Sequence, residues 1–163
     1  MNEKKFWKLV EEIDWADVEK KVKRRRHRSV SQLEKKAKAM LEERLSEKEQ
    51  LSMNKIFWRL REKLGERINA WEKFTGRHLP LSDDSFADLR SHIIGLGKEE
   101  YQATLKDPKL AFDRAPVKGR HRYMESFSYL MPGRFPYFGK HFPYAKAHSP
   151  TRAEKKRWAK DKV

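Results

Sequence analysis

Apolar residues recur every three or four positions through the first 113 residues, the spacing that gathers them on one face of an α-helix. The first such face follows Asn2, a residue type that often caps helices, and consists of Phe6, Trp7, Val10 and Ile13. Asp14 is placed to cap a second turn, which carries Trp15, Val18 and Val22. No stretch alternates between apolar and polar residues with a period of two, so the pattern predicts helices rather than strands.

The next two predicted helices each open with a Ser and a Glu three residues later, which is the spacing of a capping box. Ser31 and Glu34 open a helix whose repeating positions are Leu33, Ala37, Met40, Leu41 and Arg44. Ser46 and Glu49 open the longest helix, which should end near Gly76. Its single apolar stripe consists of Leu51, Ile56, Phe57, Leu60, Leu64, Ile68 and Trp71.

Two further helices follow Pro80. The first begins after Ser82 with acidic residues in its first turn, and its apolar face consists of Phe86, Leu89, Ile93 and Ile94. A short helix over residues 98–106 is then broken at Pro108. We therefore predict an all-α fold, a small bundle of about five helices forming a domain over residues 1–113. The domain extends to residue 130 if one more turn packs onto it through Met124, Phe127 and Leu130.

The region that opens the fifth apolar face, after Pro80, is similar to a known bacterial family, the domain of unknown function 4240. The similarity is carried by the run LSDDSFADLR at residues 81–90, followed by Ile93-Ile94, Gly97, Tyr101 and Asp107-Pro108. Two features outside this run also fit the family, namely Phe6-Trp7 in the first helix and Trp71 before the acidic motif. The resemblance covers about residues 2–130. It implies a helical fold and a bacterial source, and it brings no established activity or catalytic residues.

The last third of the chain differs in composition from the rest. Residues 114–163 form a predicted extension that holds 5 of the 7 prolines and 9 of the 19 aromatic residues. After Pro132 these residues interrupt regular structure every few positions, which predicts an irregular segment. Thr151, with Glu154 three residues later, predicts a short basic helix that reaches Lys162.

Charge is concentrated in two segments. The formal net charge is +15, yet residues 1–22, 29–81 and 82–113 together sum to zero. The excess lies in the run KRRRHR at residues 23–28, which contributes +5, and in residues 114–163, which contribute +10. These are also the segments that depart from what the family resemblance leads us to expect. A neutral body with two basic segments is typical of a protein that binds a polyanion.

Cations can bind phosphates, and aromatic rings between them can stack on exposed bases. The candidate residues in the basic run are Lys23, Arg24, Arg25, Arg26 and Arg28. Those in the extension are Arg120, Arg122, Arg134, Tyr137, Phe138, Lys140, Phe142, Tyr144, Lys146, Arg152, Lys155, Lys156 and Arg157. The alternatives are a solvated helix–loop junction for the basic run and aromatic side chains that pack back on the helical body. Phe127 and Phe135 are the residues for which we expect this structural role.

The most enzyme-like cluster lies in the fifth predicted helix, after Ser82. Asp88 and His92 are four residues apart on a helix, so the carboxylate could orient the imidazole as a general base beside Asp83, Asp84 and Arg90. The alternative is that Ser82 or Asp83 caps the helix, Asp84 complements its dipole and the rest is a solvated face, and we favour it. The aromatic residues expected in the core are Trp7, Trp15, Phe57 and Trp71.

No other chemistry is indicated. The chain has no cysteine, and its six histidines lack metal-binding spacing. There is no glycine-rich phosphate loop and no apolar run of the roughly 18 residues that a membrane span needs. We therefore expect a non-enzymatic, cytoplasmic RNA-binding protein without cofactors, whose partners are rRNA in the ribosome and ribosomal proteins. The alternatives are a DNA-binding protein or, less favoured, an enzyme that acts on nucleic acid.

Overall fold

The computed structural model describes residues 1–15, 27–114, 127–131 and 149–163. The regular elements in these ranges are all helices, which confirms the predicted all-α class. In chain order they are α1 (Glu3–Ile13), α2 (His27–Arg44), α3 (Glu47–Thr75), α4 (Asp83–Gly95), α5 (Lys98–Lys106), α6 (Leu110–Arg114) and α7 (Arg152–Trp158). A short 3-10 turn, Ala159–Asp161, follows α7 directly.

The ends of α1 and α3 follow the predicted caps. The Asn2 side chain accepts a hydrogen bond of 2.9 Å from the backbone N–H of Lys5. At the start of α3, one carboxylate oxygen of Glu49 accepts from both the backbone N–H of Ser46, at 3.2 Å, and its hydroxyl, at 3.1 Å. The helix ends at Gly76, whose φ of 77° lies in the left-handed region that favours glycine. Local sequence chemistry therefore determines where these two helices begin and where α3 ends.

One predicted boundary is wrong, and one short helix was not predicted. Helix α2 begins at His27, so Ser31 lies inside the helix and is not its cap. Nothing between these residues breaks a helix, and a capping-box spacing alone does not prevent the helix from starting one turn earlier. The short helix α6 was not predicted. Its five residues are too few to show a periodic pattern, and its first turn forms through Leu110 N–H donating to the carbonyl of Asp107.

One member of the predicted α3 stripe is also wrong. Leu51 is 40% exposed, whereas Leu60 is buried. The two residues are nine positions apart, which is two and a half helical turns, so they lie on opposite sides of α3. Met53 lies on the buried side because it precedes Leu60 by nearly two full turns, and it is fully buried.

The core surrounds α3 and contains the aromatic residues that were expected there. Trp7, Trp15, Phe57 and Trp71 are at most 3% exposed, which confirms that prediction. Phe127 is fully buried, and its ring contacts Trp15 and Phe57 with centroid distances of 5.3 and 6.1 Å. The neighbouring Leu130 and Met131 are buried as well. The predicted closing turn therefore packs onto the helical body, while Phe135 and Met124 lie outside the described residues.

Helices α1, α5 and α7 contact the same side of α3. Lys5 of α1 forms an ion pair of 2.6 Å with Glu49. Eighteen residues further along α3, Arg67 donates from Nε to the carbonyl of Leu105 in α5 and forms an ion pair of 2.6 Å with Glu154 in α7. Eighteen residues are five helical turns, so Glu49 and Arg67 face the same way and are about 27 Å apart along the axis. The contacts of α1 and α7 are therefore at separate points of one side of α3.

Candidate nucleic-acid interface

Helix α7 begins with the predicted capping box. The backbone N–H of Glu154 donates to the Thr151 hydroxyl at 3.3 Å, and the Glu154 carboxylate accepts from the Thr151 N–H at 2.8 Å. A helix of seven residues is too short to persist in water without tertiary contacts. The contacts that hold α7 in place therefore determine whether its side chains form a surface.

The first of these contacts is a partly buried cluster on α3. Trp158 is fully buried, and the guanidinium carbon of Arg67 lies 4.8 Å from the centre of its ring. The Arg67 and Glu154 side chains are only 11% and 16% exposed, so their ion pair is largely shielded from solvent. The acidic residue of the helix thus points towards α3 and is neutralised there.

The second contact involves Asp161, which is 4% exposed. Its carboxylate accepts a hydrogen bond of 3.2 Å from the indole N–H of Trp71. Its backbone carbonyl accepts from Nε of Arg77 at 2.6 Å, and Lys109 lies 3.8 Å from the other carboxylate oxygen. Both acidic side chains of residues 149–163 are therefore used in contacts with the helical body.

The basic residues of α7 are left on the outside. We define the α7 basic face as the four exposed cationic side chains Arg152, Lys155, Lys156 and Arg157. Three of them, at positions i, i+3 and i+4, share one side of the helix, and the fourth lies at its flank. The structure thus brings together four of the predicted site residues on a surface with no exposed acidic side chain from the same segment.

The other predicted site residues do not contribute to this geometry. Arg28 lies in the first turn of α2. The remaining residues are outside the described ranges: Lys23, Arg24, Arg25, Arg26, Arg120, Arg122, Arg134, Tyr137, Phe138, Lys140, Phe142, Tyr144 and Lys146.

The residues of the enzyme-like cluster on α4 have separate structural roles: its first residues form the start of the helix, and His92 contacts the core. Ser82 is the N-cap, as predicted, and its hydroxyl accepts from the Ser85 N–H at 3.3 Å. Asp83 and Asp84 are exposed in the first turn. His92 is 1% exposed, and its Nδ1 accepts a hydrogen bond of 3.0 Å from the indole N–H of Trp15. The prediction that His92 belongs to a solvated face is therefore wrong, because α4 packs this face against the core.

Arg90 is also shielded rather than solvated. Its guanidinium lies 4.6 Å from the centre of the Phe86 ring and contacts Glu62 of α3 at 3.3 Å. A Cβ at Gly65 would come within 2.5 Å of Arg90 Nη1, so the glycine makes room for this approach. Burial, together with the neighbouring charge of Arg90, lowers the pKa of Arg61 to about 10. No local pattern in the sequence indicates that Arg61 and Arg90 lie close together, because they belong to different helices.

No metal or membrane feature accompanies the α7 basic face. The residues that the structure describes contain no group of three His, Asp or Glu side chains placed to hold a metal ion. Within the same ranges, no helix combines the length and the apolar character that crossing a membrane requires.

The fold is thus an all-α body with a basic helix docked on its longest helix. A family described as "Protein of unknown function (DUF4240)" matches residues 1–135, and the chain belongs to it. The match confirms the resemblance seen in the sequence and covers slightly more of the chain than residues 2–130. No curated protein and no solved structure shows significant similarity to the chain. Helix α7 lies beyond the matched residues, so the family match covers the body and not the α7 basic face.

Proposed function

We propose that this protein binds RNA, with rRNA in the ribosome as its partner, and that the α7 basic face contacts the phosphate backbone. The observation that supports the proposal most is the separation of charge in residues 149–163. Glu154 and Asp161 point inward to Arg67 and Trp71, while the cations of α7 are exposed. A surface that carries one sign of charge attracts a polyanion more strongly than the same residues would in alternation with acids.

Counterion release is the physical basis of such binding. Each cation that neutralises a phosphate displaces condensed ions, so affinity falls steeply as salt is raised. The α7 basic face supplies four such cations in two turns of helix. The KRRRHR run and the alternating aromatic and basic residues of the extension add charge and stacking capacity in the sequence. Stacking residues favour RNA with exposed bases over a regular DNA duplex.

A matched pair of variants tests the contribution of α7. The test variant is R152Q/K155Q/K156Q, which removes the three cations that share one side of α7. The control is K48Q/K55Q/K73Q, which removes three exposed lysines that lie on one side of α3. We expect the test variant to reduce the slope of log affinity against log salt by about 2 to 3, with binding measured on structured RNA. The control should leave the slope within 1 of the original protein.

Ribosome association is tested by sedimentation of the full-length protein with ribosomal particles at low and at raised salt. Comigration that survives moderate salt, with bound RNA from one rRNA region, supports the proposal. A protein that stays at the top of the gradient contradicts ribosome association. Stronger retention on duplex DNA than on structured RNA at the same salt would favour the DNA-binding alternative, and equal retention would indicate general affinity for polyanions.

A further inference from the structure

Helix α1 carries three acids and three lysines, but the fold separates these charges in space. Glu3 forms an ion pair of 2.8 Å with Arg59 of α3, and Glu12 forms one of 2.6 Å with Arg44 of α2. These arginines come from other helices and neutralise two of the acids of α1. The lysines of α1 are consequently not balanced by those acids.

Two lysines of α1 meet a lysine of α5 at a concave surface. Lys4 and Lys8 of α1 and Lys98, the first residue of α5, line a shallow depression of about 520 Å³. All three are exposed, and none makes an ion pair within the described part of the chain. The other residues that line the depression are Asn2, Lys5, Trp7 and Glu11. We call this surface the lysine depression.

The fold holds these like charges together although their mutual repulsion is unfavourable. Lys4 and Lys8 are four residues apart on one helix face, where charges of the same sign repel. The arrangement persists because α1 is docked by buried contacts, including the Trp7 ring at 5.3 Å from that of Tyr101. Lys5 forms its ion pair with Glu49. Among the residues that the structure describes, Glu11 is the single acidic side chain that lines the depression. A concave surface lined mainly by one sign of charge concentrates the electrostatic potential and attracts anions.

We infer that the lysine depression binds phosphate groups of an RNA backbone, as a second contact separate from the α7 basic face. The inference rests on the proposed RNA-binding function. Lysine ammonium groups are compact charges with three rotatable donors, which suit phosphate oxygens and carry no base specificity. Helix α1 contacts α3 at Glu49 and at Arg59, which lie about 27 and about 12 Å along the axis from the α7 contact at Arg67. The two surfaces are therefore close enough for one structured RNA to reach both.

The test compares K4Q/K8Q/K98Q with the control K48Q/K55Q/K73Q in binding to a structured RNA. We expect the first variant to lose about tenfold in affinity at 150 mM salt and to reduce the salt slope by about 2. The control should change affinity less than twofold. Thermal unfolding should show that neither variant is less stable, because the substitutions remove repulsion or exposed charges only.

Lysine labelling gives an independent measurement on the unmodified sequence. An acylating reagent should label Lys4, Lys8 and Lys98 several-fold more slowly when the RNA is bound, while Lys48, Lys55 and Lys73 keep their rates. Equal labelling with and without bound RNA would overturn the inference, as would equal affinities of the two triple variants. If only the α7 variant weakens binding, the inference that the lysine depression binds RNA is wrong, and the proposed function stands. If the unmodified protein binds no RNA, the proposed function fails and this inference fails with it.

Discussion

The two basic surfaces at separate points of α3 are built in opposite ways. On α7 the segment itself is rich in cations, and its two acids are drawn inward to Arg67 and Trp71. On α1 the acids and the lysines are equal in number, three of each, and arginines from α2 and α3 neutralise two of the acids. The difference shows that a basic surface depends on which residues pair with the acids. A local excess of lysine and arginine is one route to such a surface, and ion pairs with distant elements are another.

The largest effect is expected from a substitution that detaches α7 from α3 and leaves the lysine depression in place. Trp158→Ala removes the fully buried side chain that packs beside Arg67, and loss of a buried tryptophan typically costs about 3–5 kcal/mol. We expect α7 to lose its helical structure and RNA affinity to fall, while the lysine depression stays intact. Urea denaturation measures the stability, and lysine labelling reports on Lys4, Lys8 and Lys98. Trp158→Phe, which keeps an aromatic ring, is the control and should cost less than half as much. Unchanged stability would show that Trp158 does not hold α7.

A smaller effect is expected from the polar part of the same contact. Arg67→Met keeps an apolar chain of similar length and removes the donor to the carbonyl of Leu105 and the partner of Glu154. We expect a loss of about 2 kcal/mol, below the range for a fully buried pair because both side chains retain some solvent contact. Urea denaturation of R67M, of E154Q and of the double variant gives the coupling energy. A coupling near zero would mean that the ion pair does not help to hold α7.

The helix caps were predictable because they depend on residues three positions apart. Asn2, the Ser46–Glu49 pair and the Thr151–Glu154 pair all act within one turn. The stripe of α3 was predictable for the same reason, apart from Leu51. The start of α2 and the short α6 were not, since no strong local signal marks them.

The candidate site was predictable only where charge is dense along the chain. The cations of α7 were identified, but the inward direction of Asp161 depends on Trp71, which is 90 residues away. The lysine depression was missed because it depends on long-range ion pairs. Glu3 pairs with Arg59, 56 residues away, and Glu12 pairs with Arg44, 32 residues away. The net charge of a sequence segment includes these acids as if they were unpaired, whereas in the folded chain they form ion pairs with other helices.

The length of the bound RNA tests whether the two surfaces bind one RNA at the same time. A duplex that rises by about 3.4 Å or less per base pair needs at least about eight base pairs to span the roughly 27 Å between the contacts at Glu49 and Arg67 on α3. We expect K4Q/K8Q/K98Q to weaken binding of a duplex of about 20 base pairs about tenfold, because the intact protein engages both surfaces at once. With about five base pairs the same substitutions should change affinity less than threefold, since the α7 basic face binds alone. Fluorescence anisotropy with both duplexes measures the effect. The same loss on both lengths would show that the two surfaces do not act together.

The smallest expected effect concerns the contact that holds α1 beside the lysine depression. The ion pair with Lys5, together with hydrogen bonds from Ser46, lowers the pKa of Glu49 from 4.5 to about 2. A carboxylate with a lowered pKa contributes stability that is present above its unfolded pKa and is lost as the pH falls towards 2. Lys5→Gln should therefore raise the pKa of Glu49 part of the way to 4.5 and reduce the acid sensitivity of the contact. Carbon-detected NMR of the Glu49 carboxyl follows the titration, and Lys55→Gln serves as the control. A pKa of Glu49 that does not move in the Lys5→Gln variant would show that the ion pair does not stabilise the docking of α1. The position of its lysines would then depend on its other contacts, among them the one between Trp7 and Tyr101.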